Sequence, residues 1–197
     1  SMVICTGTMS AAGRALGAGD QKRAKNIYHS ALLVLAVLSI LILLGGLCFS
    51  VPIARFLGAN EVLLTDSSQY IRILACFAPV IAFKILFGFS GRLVEKPRLY
   101  LAGTVTTISC NVILDYLAVG VLGLGIPGAA AATGLAYLGG LLVAASPMFR
   151  RETVLNVFDG HFCPREILHA AFNGSSEGVT YAAAALTVFL MNRSFMA

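Results

Sequence analysis

The chain has 197 residues, of which 58% are hydrophobic and only 12% are charged, and its mean hydropathy is +0.86. A soluble domain carries about a quarter charged residues, so this composition excludes an ordinary soluble fold and indicates a membrane protein. The net charge of +5 does not indicate nucleic-acid binding, because the basic residues are grouped in short segments between apolar blocks.

Several apolar segments follow one another along the chain, each close to the ~20 residues that a helix needs to cross a bilayer. The sequence therefore predicts an all-α integral membrane protein. The predicted spans are 27–51, closed by Pro52; 68–89, with Pro79 in its middle; 99–121; 126–148; and a fifth that begins near Gly178 and runs to residue 197. Residues 1–13 are apolar and lead straight into a charged segment, so we expect them to end an earlier span of a longer protein.

The charges of the connecting segments alternate along the chain. Segments 14–26, 91–98 and 149–173 each carry three or four Arg or Lys residues, whereas 52–67 carries one and 122–125 carries none. Under the positive-inside rule, this alternation predicts that the three basic segments are cytoplasmic loops of a multi-pass protein in the cell membrane.

Catalytic and cofactor motifs are missing from the sequence. It contains no HExxH, no GxSxG and no paired acids at catalytic spacing, so we predict that the protein is not an enzyme. The five cysteines form no CxxC pair and are predicted to be free thiols. His161, Cys163 and His169 are too loosely spaced to indicate a metal site, and no cofactor is predicted.

Asp115 lies within the third predicted span, where a carboxylate costs roughly 2.5–3.5 kcal/mol to insert. Asn111 precedes it by one helical turn and shares its face. Asp115 is expected to lie ~9 Å from the outer end of its helix. Thr133 lies on the helix that returns after a short turn, ~10 Å from the same outer surface, and therefore at a similar depth. These three side chains are predicted to form an oxygen-rich cluster for Na⁺ or a proton. The alternative is an aspartate that Asn111 and Thr133 satisfy purely for packing.

Three further residues are candidates for a substrate cavity: Lys84, Pro79 and Asn192. For Lys84, snorkelling to the cytoplasmic interface or pairing with an acid is favoured over substrate contact. Pro79 removes a helical hydrogen bond, so the second span should kink there, either structurally or to expose a carbonyl to a cavity. The small residues GAAAATG at 128–134 predict close helix packing.

Five segments in order resemble the multidrug and toxic compound extrusion (MATE) transporters, in particular their DNA-damage-inducible F-like branch. The segment at 111–133 is the most specific and is similar to the family's fifth and sixth helices. The segments are GRALGAGDQKRA (13–24), QYIRI (69–73), GRLVEKPRLY (91–100), NVILDYLAVGVLGLGIPGAAAAT (111–133) and NGSSEGVTYAAAALTVFLMN (173–192).

The resemblance implies a fragment from the end of helix two to helix seven of a twelve-helix, two-lobe transporter. Residues 1–172 would be most of the incomplete amino-terminal six-helix lobe with the following cytoplasmic loop, and 173–197 the truncated first helix of the second lobe. It also implies export of small amphiphilic or cationic drugs, with Na⁺ or H⁺ as the coupling ion at Asn111, Asp115 and Thr133. The implied partners are the lipid bilayer and the remaining helices.

Two alternatives to drug export remain open at this stage. A lipid-linked oligosaccharide flippase of the same superfamily would be expected to carry several Arg or Lys residues for a pyrophosphate, and Lys84 is the one candidate here. The other alternative is a fragment that transports nothing by itself.

Overall fold

The computed structural model describes residues 2–93, 97–146, 149, 154–155 and 160–195. Within these residues every regular element is a helix, which confirms the predicted all-α class. The elements are α1 (Met2–Gly17), α2 (Gln21–Phe56), α3 (Leu64–Cys76), α4 (Ala78–Leu93), α5 (Pro97–Asp115), a π-helical segment (Tyr116–Val121), α6 (Gly125–Ala145), α7 (Pro164–Asn173) and α8 (Ser175–Phe195).

Helices long and apolar enough to cross a membrane account for the first four predicted spans. In the described part these are Gln21–Phe56, Tyr100–Val121 and Gly125–Ala145, and the bent pair α3–α4 makes a fourth. α8 is a continuous helix of 21 residues but is not among them, so the fifth predicted span is confirmed as a helix only. The division of the chain at residue 172 stays a prediction; α7 ends at Asn173 and α8 begins at Ser175.

A tight turn joins α1 to α2 within the first basic segment. Gly19 has φ = +79°, which glycine adopts without steric cost, and the N–H of Asp20 bonds back to the Ala15 carbonyl at 2.9 Å. The Asp20 carboxylate then caps α2 by accepting from the N–H of Arg23 at 2.9 Å. Most of the predicted loop 14–26 is therefore helical.

α2 does not end at Pro52 as the sequence predicted. The helix continues to Phe56, with non-helical dihedrals at Phe49 (φ −114°, ψ 19°). Proline at position 52 lacks an N–H and crowds the carbonyl four residues earlier, which explains a kink at this point. α2 therefore consists of two helical halves that meet at a kink at Phe49.

The second predicted span is broken, as Pro79 indicated. α3 ends at Cys76, Phe77 forms a turn, and α4 leaves at an angle of 50°. Pro79 lies in the first turn of α4, a position that needs no N–H from the proline. The break therefore falls two residues before the proline and not at it.

α5 and α6 form a close antiparallel pair around small residues, which confirms the predicted packing face. A Cβ at Gly140 would overlap the Thr107 hydroxyl and would lie 2.9 Å from the Gly103 carbonyl oxygen. A Cβ at Gly134 would overlap the ring of Phe77, so α6 also packs tightly at the α3–α4 break. These glycines let the backbones approach and set the register of α6 against α5.

The predicted cytoplasmic loop 149–173 contains a helix that the sequence analysis missed. α7 packs on α1, where Gly7 lies so close to the Ala170 backbone that any side chain at position 7 would overlap it. The N–H groups of His161 and Cys163 bond to Asn26 Oδ1 at 2.9 Å and to Ser30 Oγ at 2.8 Å on α2. Residues 160–173 are thus fastened to the first two helices.

The main buried core lies between α1, α2 and α4. Its most enclosed large side chains are 1% exposed or less: Cys5, Ile27, Tyr28, Leu35 and Leu86. Large apolar side chains on α2, α5 and α6 are exposed, as helices that face lipid would be. All five cysteines are free thiols, as predicted.

Candidate cation site

Of the three residues predicted to form the cluster, Asn111, Asp115 and Thr133, two are in contact between α5 and α6, namely Asn111 and Thr133. The amide nitrogen Nδ2 of Asn111 donates to the hydroxyl Oγ1 of Thr133 at 3.4 Å, across the two helices. All three side chains are partly buried. The glycine-mediated packing described above brings Thr133 opposite Asn111, so the sequence prediction of a shared depth is consistent with this contact.

Asp115 is the unusual member of the cluster. Its oxygen Oδ1 is buried and has no hydrogen-bond partner among the residues that the structure describes. Leaving a buried carboxylate oxygen unpaired is costly, so such an atom calls for an explanation such as a ligand or a proton. A purely structural aspartate would be expected to accept from Asn111 or Thr133, and the Asn111 amide instead points to Thr133.

A π-helical segment begins directly after Asp115. This segment is Tyr116–Val121, and its backbone hydrogen bonds span five residues instead of four. The N–H of Leu122 bonds to the carbonyl of Leu117 at 2.9 Å. π-helical turns are rare and are frequently found at functional sites. No sequence signal predicted this segment, and it changes the direction in which residues beyond Asp115 face α6.

The donor set suits a hard monovalent cation or a proton. It offers a carboxylate, an amide oxygen left free by the Nδ2 bond, and a hydroxyl, all oxygens of the kind that Na⁺ prefers. A group of three or more His, Cys, Asp or Glu side chains, as transition metals require, does not occur in the described part of the chain.

Two of the three predicted cavity residues, Lys84 and Pro79, lie on α4 and not on the α5–α6 pair. Lys84 was expected to snorkel or to pair with an acid; instead its ammonium lies over the Tyr137 ring, 5.3 Å from the centroid. Pro79 lies in the first turn of α4 at the span break. Asn192 lies on α8, and its side chain is outside the described residues.

The family model for MatE matches residues 1–117, more than half of this chain. The chain belongs to the MatE family. These are the MATE transporters that the sequence motifs indicated.

Curated relatives agree with this assignment. The multidrug export protein MepA of Staphylococcus aureus (strain bovine RF122 / ET3-1) is 30% identical over 145 residues, covering 73% of this chain and 32% of that protein. MepA of Staphylococcus saprophyticus is 27% identical over 161 residues, covering 81% of this chain and 36% of that protein. The chain thus spans about a third of the length of the curated relatives it matches.

Solved structures show the same fold. An inward-facing multidrug resistance MATE transporter of the MOP superfamily superposes with a TM-score of 0.87 at 24% identity, covering 95% of this chain and 43% of that one. An outward-facing structure of such a transporter gives a TM-score of 0.75 at 27% identity, covering 86% of this chain and 38% of that one. The chain therefore has the fold of part of a MATE transporter.

Two contacts near the helix kinks were not predicted from the sequence. The Nε of Arg72 donates to the buried Ser50 hydroxyl on α2 at 2.7 Å. Tyr70 lines an apolar cavity of about 570 Å³ between α2 and the α3–α4 break. The kinks of two helices create these contacts, and neither kink position follows from hydropathy.

Proposed function

We propose that the complete protein exports amphiphilic drugs by exchange against Na⁺ or H⁺, with Asp115 as the coupling carboxylate. The observation that carries the proposal is a buried Asp115 oxygen with no hydrogen-bond partner in the described part of the chain. Asp115 lies in an apolar span, one helical turn after the Asn111 side chain that bonds to Thr133. The MatE family match and the likeness to MepA proteins support drug export as the activity.

The proposed exchange uses a cation at Asp115 to change the preference between two conformations. In the outward-facing state Na⁺ or a proton binds Asp115, with Asn111 and Thr133 supplying further oxygens, and drug leaves. In the inward-facing state the cation leaves and drug binds again. Coupling requires only that cation and drug favour different conformations. We further propose that the basic segments, including α7, lie on the cytoplasmic side.

The likeness to multidrug export proteins favours this function over a lipid-linked oligosaccharide flippase. A pyrophosphate headgroup would require several cations in the cavity, and Lys84 is the one lysine within the apolar part of α4. Nothing in the described residues adds specific support to the flippase.

The test uses the complete protein in proteoliposomes, with export of a fluorescent amphiphilic dye driven in turn by a Na⁺ gradient and by a pH gradient. We expect wild type to respond to one of the gradients, which identifies the ion. Asp115→Asn, which keeps the side-chain shape, should reduce gradient-driven export to background.

Asp66→Asn is the matched control, because Asp66 lies in the first turn of α3, at the end of the span. It should retain coupled export. Normal export by a folded Asp115→Asn protein would contradict the coupling role, and absence of export by wild type under either gradient would contradict the transport proposal itself.

A further inference from the structure

Lys84 lies in the apolar part of α4, and its ammonium contacts the neighbouring helix α6. Lys84 precedes the end of α4 at Leu93 by nine residues, or ~14 Å along the helix axis. Its side chain extends sideways to α6, where the Nζ atom lies 5.3 Å from the centroid of the Tyr137 ring. This is within the ~6 Å range of a cation–π contact, so the ring holds the charge inside the bundle.

The face of α6 that receives Lys84 is also the face of the candidate cation site. Thr133 and Tyr137 are four residues apart, so they lie one turn apart on one side of the helix. The exposed leucines of α6 lie on the opposite side: Leu135, Leu138 and Leu142. By helical geometry that leucine stripe is the side suited to lipid, and Thr133 and Tyr137 turn away from it.

Lys84 has no acidic partner in the part of the chain that the structure describes. Within the described ranges no Asp or Glu oxygen lies within 4.0 Å of its ammonium. A charged group at membrane depth is costly and usually marks a path for substrates or ions, with a partner of opposite charge. The Tyr137 ring contacts the ammonium without neutralising it, so the positive charge of Lys84 has no counter-charge among the described residues.

We propose that Lys84 is the binding group for an acidic substituent of the transported compound, so that the preferred substrates are amphiphilic organic anions bearing a carboxylate. This inference rests on the proposed transport function and specifies its substrate class. Because Asp115 and Lys84 have opposite charges, they bind ligands of opposite charge. The coupling cation binds at Asp115, and the acid of the substrate binds about one or two turns of α6 away, at the level of Tyr137.

The experiment compares two dyes with a shared xanthene scaffold and opposite charge, fluorescein and rhodamine 6G, in proteoliposomes of the complete protein. Lys84→Met removes the charge but keeps an unbranched apolar side chain. We expect it to lower kcat/KM for fluorescein by at least about tenfold, the scale of a lost charged hydrogen bond, and not to lower it for rhodamine 6G. Lys84→Arg should retain fluorescein export.

The matched control is Lys22→Met, since Lys22 is exposed at the start of α2. This substitution should leave kcat/KM for the export of both dyes unchanged. The assay is repeated in vesicles of phosphatidylcholine with and without phosphatidylglycerol. If Lys84 binds the headgroup of an anionic lipid, Lys84→Met should change the export of both dyes equally and only in vesicles that contain phosphatidylglycerol. That result would overturn the proposal.

Two further results would overturn the proposal. One is an equal loss of fluorescein and rhodamine 6G export in both Lys84→Met and Lys84→Gln. The other is unchanged fluorescein export by a folded variant. Wild type that exports rhodamine 6G but not fluorescein would refute the substrate class and leave the transport function standing. Wild type that exports neither dye under any gradient would refute the proposed function itself.

Discussion

Two carboxylates, Glu166 on α7 and Asp115 at the end of α5, lie in opposite environments. Glu166 accepts two hydrogen bonds from the Arg23 guanidinium, from Nε to Oε1 at 3.0 Å and from Nη2 to Oε2 at 3.3 Å. Asp115 has a buried oxygen with no partner in the described part of the chain. A carboxylate paired with a bidentate arginine links two segments of the chain. One left open at membrane depth is the better candidate for a mobile cation.

The two carboxylates also differ in how their surroundings are exposed to solvent and packed. The Arg23 side chain is 56% exposed, so solvent screens its pair with Glu166. Asp115 lies where α5 gives way to the π-helical segment, between helices that pack through glycine. The comparison suggests that α7 serves to fasten the connecting segment, whereas the α5–α6 pair forms a site. Three substitutions test that difference.

The largest effect is expected from Gly140→Val, which separates α5 from α6. The added side chain would overlap the Thr107 hydroxyl and meet the Gly103 carbonyl, and overpacking of this kind costs about 1–3 kcal/mol. Thermal unfolding of the complete protein in detergent should show a clear loss of stability.

Gly45→Val on α2 is the matched control, because a Cβ at Gly45 meets nothing within 4 Å. Its unfolding temperature should stay close to that of wild type. Equal destabilisation by the two substitutions would show that α5 and α6 do not depend on this close approach.

A smaller effect is expected from Thr133→Val, which replaces the hydroxyl that accepts from Asn111 by a methyl group. We expect the cation concentration for half-maximal export to rise about tenfold, or about 1.4 kcal/mol, because one oxygen of the site and its link to Asn111 are lost.

Thr187→Val provides the isosteric control, since the Thr187 hydroxyl only donates to Ala183 within α8. An unchanged cation dependence in Thr133→Val would remove Thr133 from the site while leaving Asp115 in place.

The smallest effect is expected from Glu166→Gln, which leaves Arg23 without its partner. Because that pair is exposed, the unfolding temperature should fall only slightly, and 0.5 M salt should shrink the difference further. Cation-coupled export should remain near the wild-type rate. A loss of coupling as large as that of Asp115→Asn would mean that the two carboxylates are not functionally distinct.

Hydropathy and helical spacing predicted much of this architecture. Spans of about the right length and a short connecting turn were enough to predict that Asn111 lies near Thr133 on the returning helix. The inclusion of Asp115 in the same site stays a prediction. Pro79 likewise indicated the break between α3 and α4. These features depend on local sequence, on bilayer thickness and on a short connection, all of which are visible in one chain.

The remainder depends on contacts between distant segments. α7 is a ten-residue helix, too short to be stable alone, and it exists on the surface that Gly7, Asn26 and Ser30 provide. The position of the Lys84 ammonium depends on Tyr137, fifty-three positions later in the chain. The π-helical segment after Asp115 has no composition signature.

The central claim, that Asp115 binds the coupling cation, is tested most directly by infrared difference spectroscopy of the complete protein. Spectra are compared between high and low Na⁺ at fixed pH, and between acid and alkaline pH. We predict a carboxyl signal that responds to one of these changes in wild type and in Glu166→Gln, and that is missing in Asp115→Asn. The same signal in a folded Asp115→Asn protein would contradict the claim.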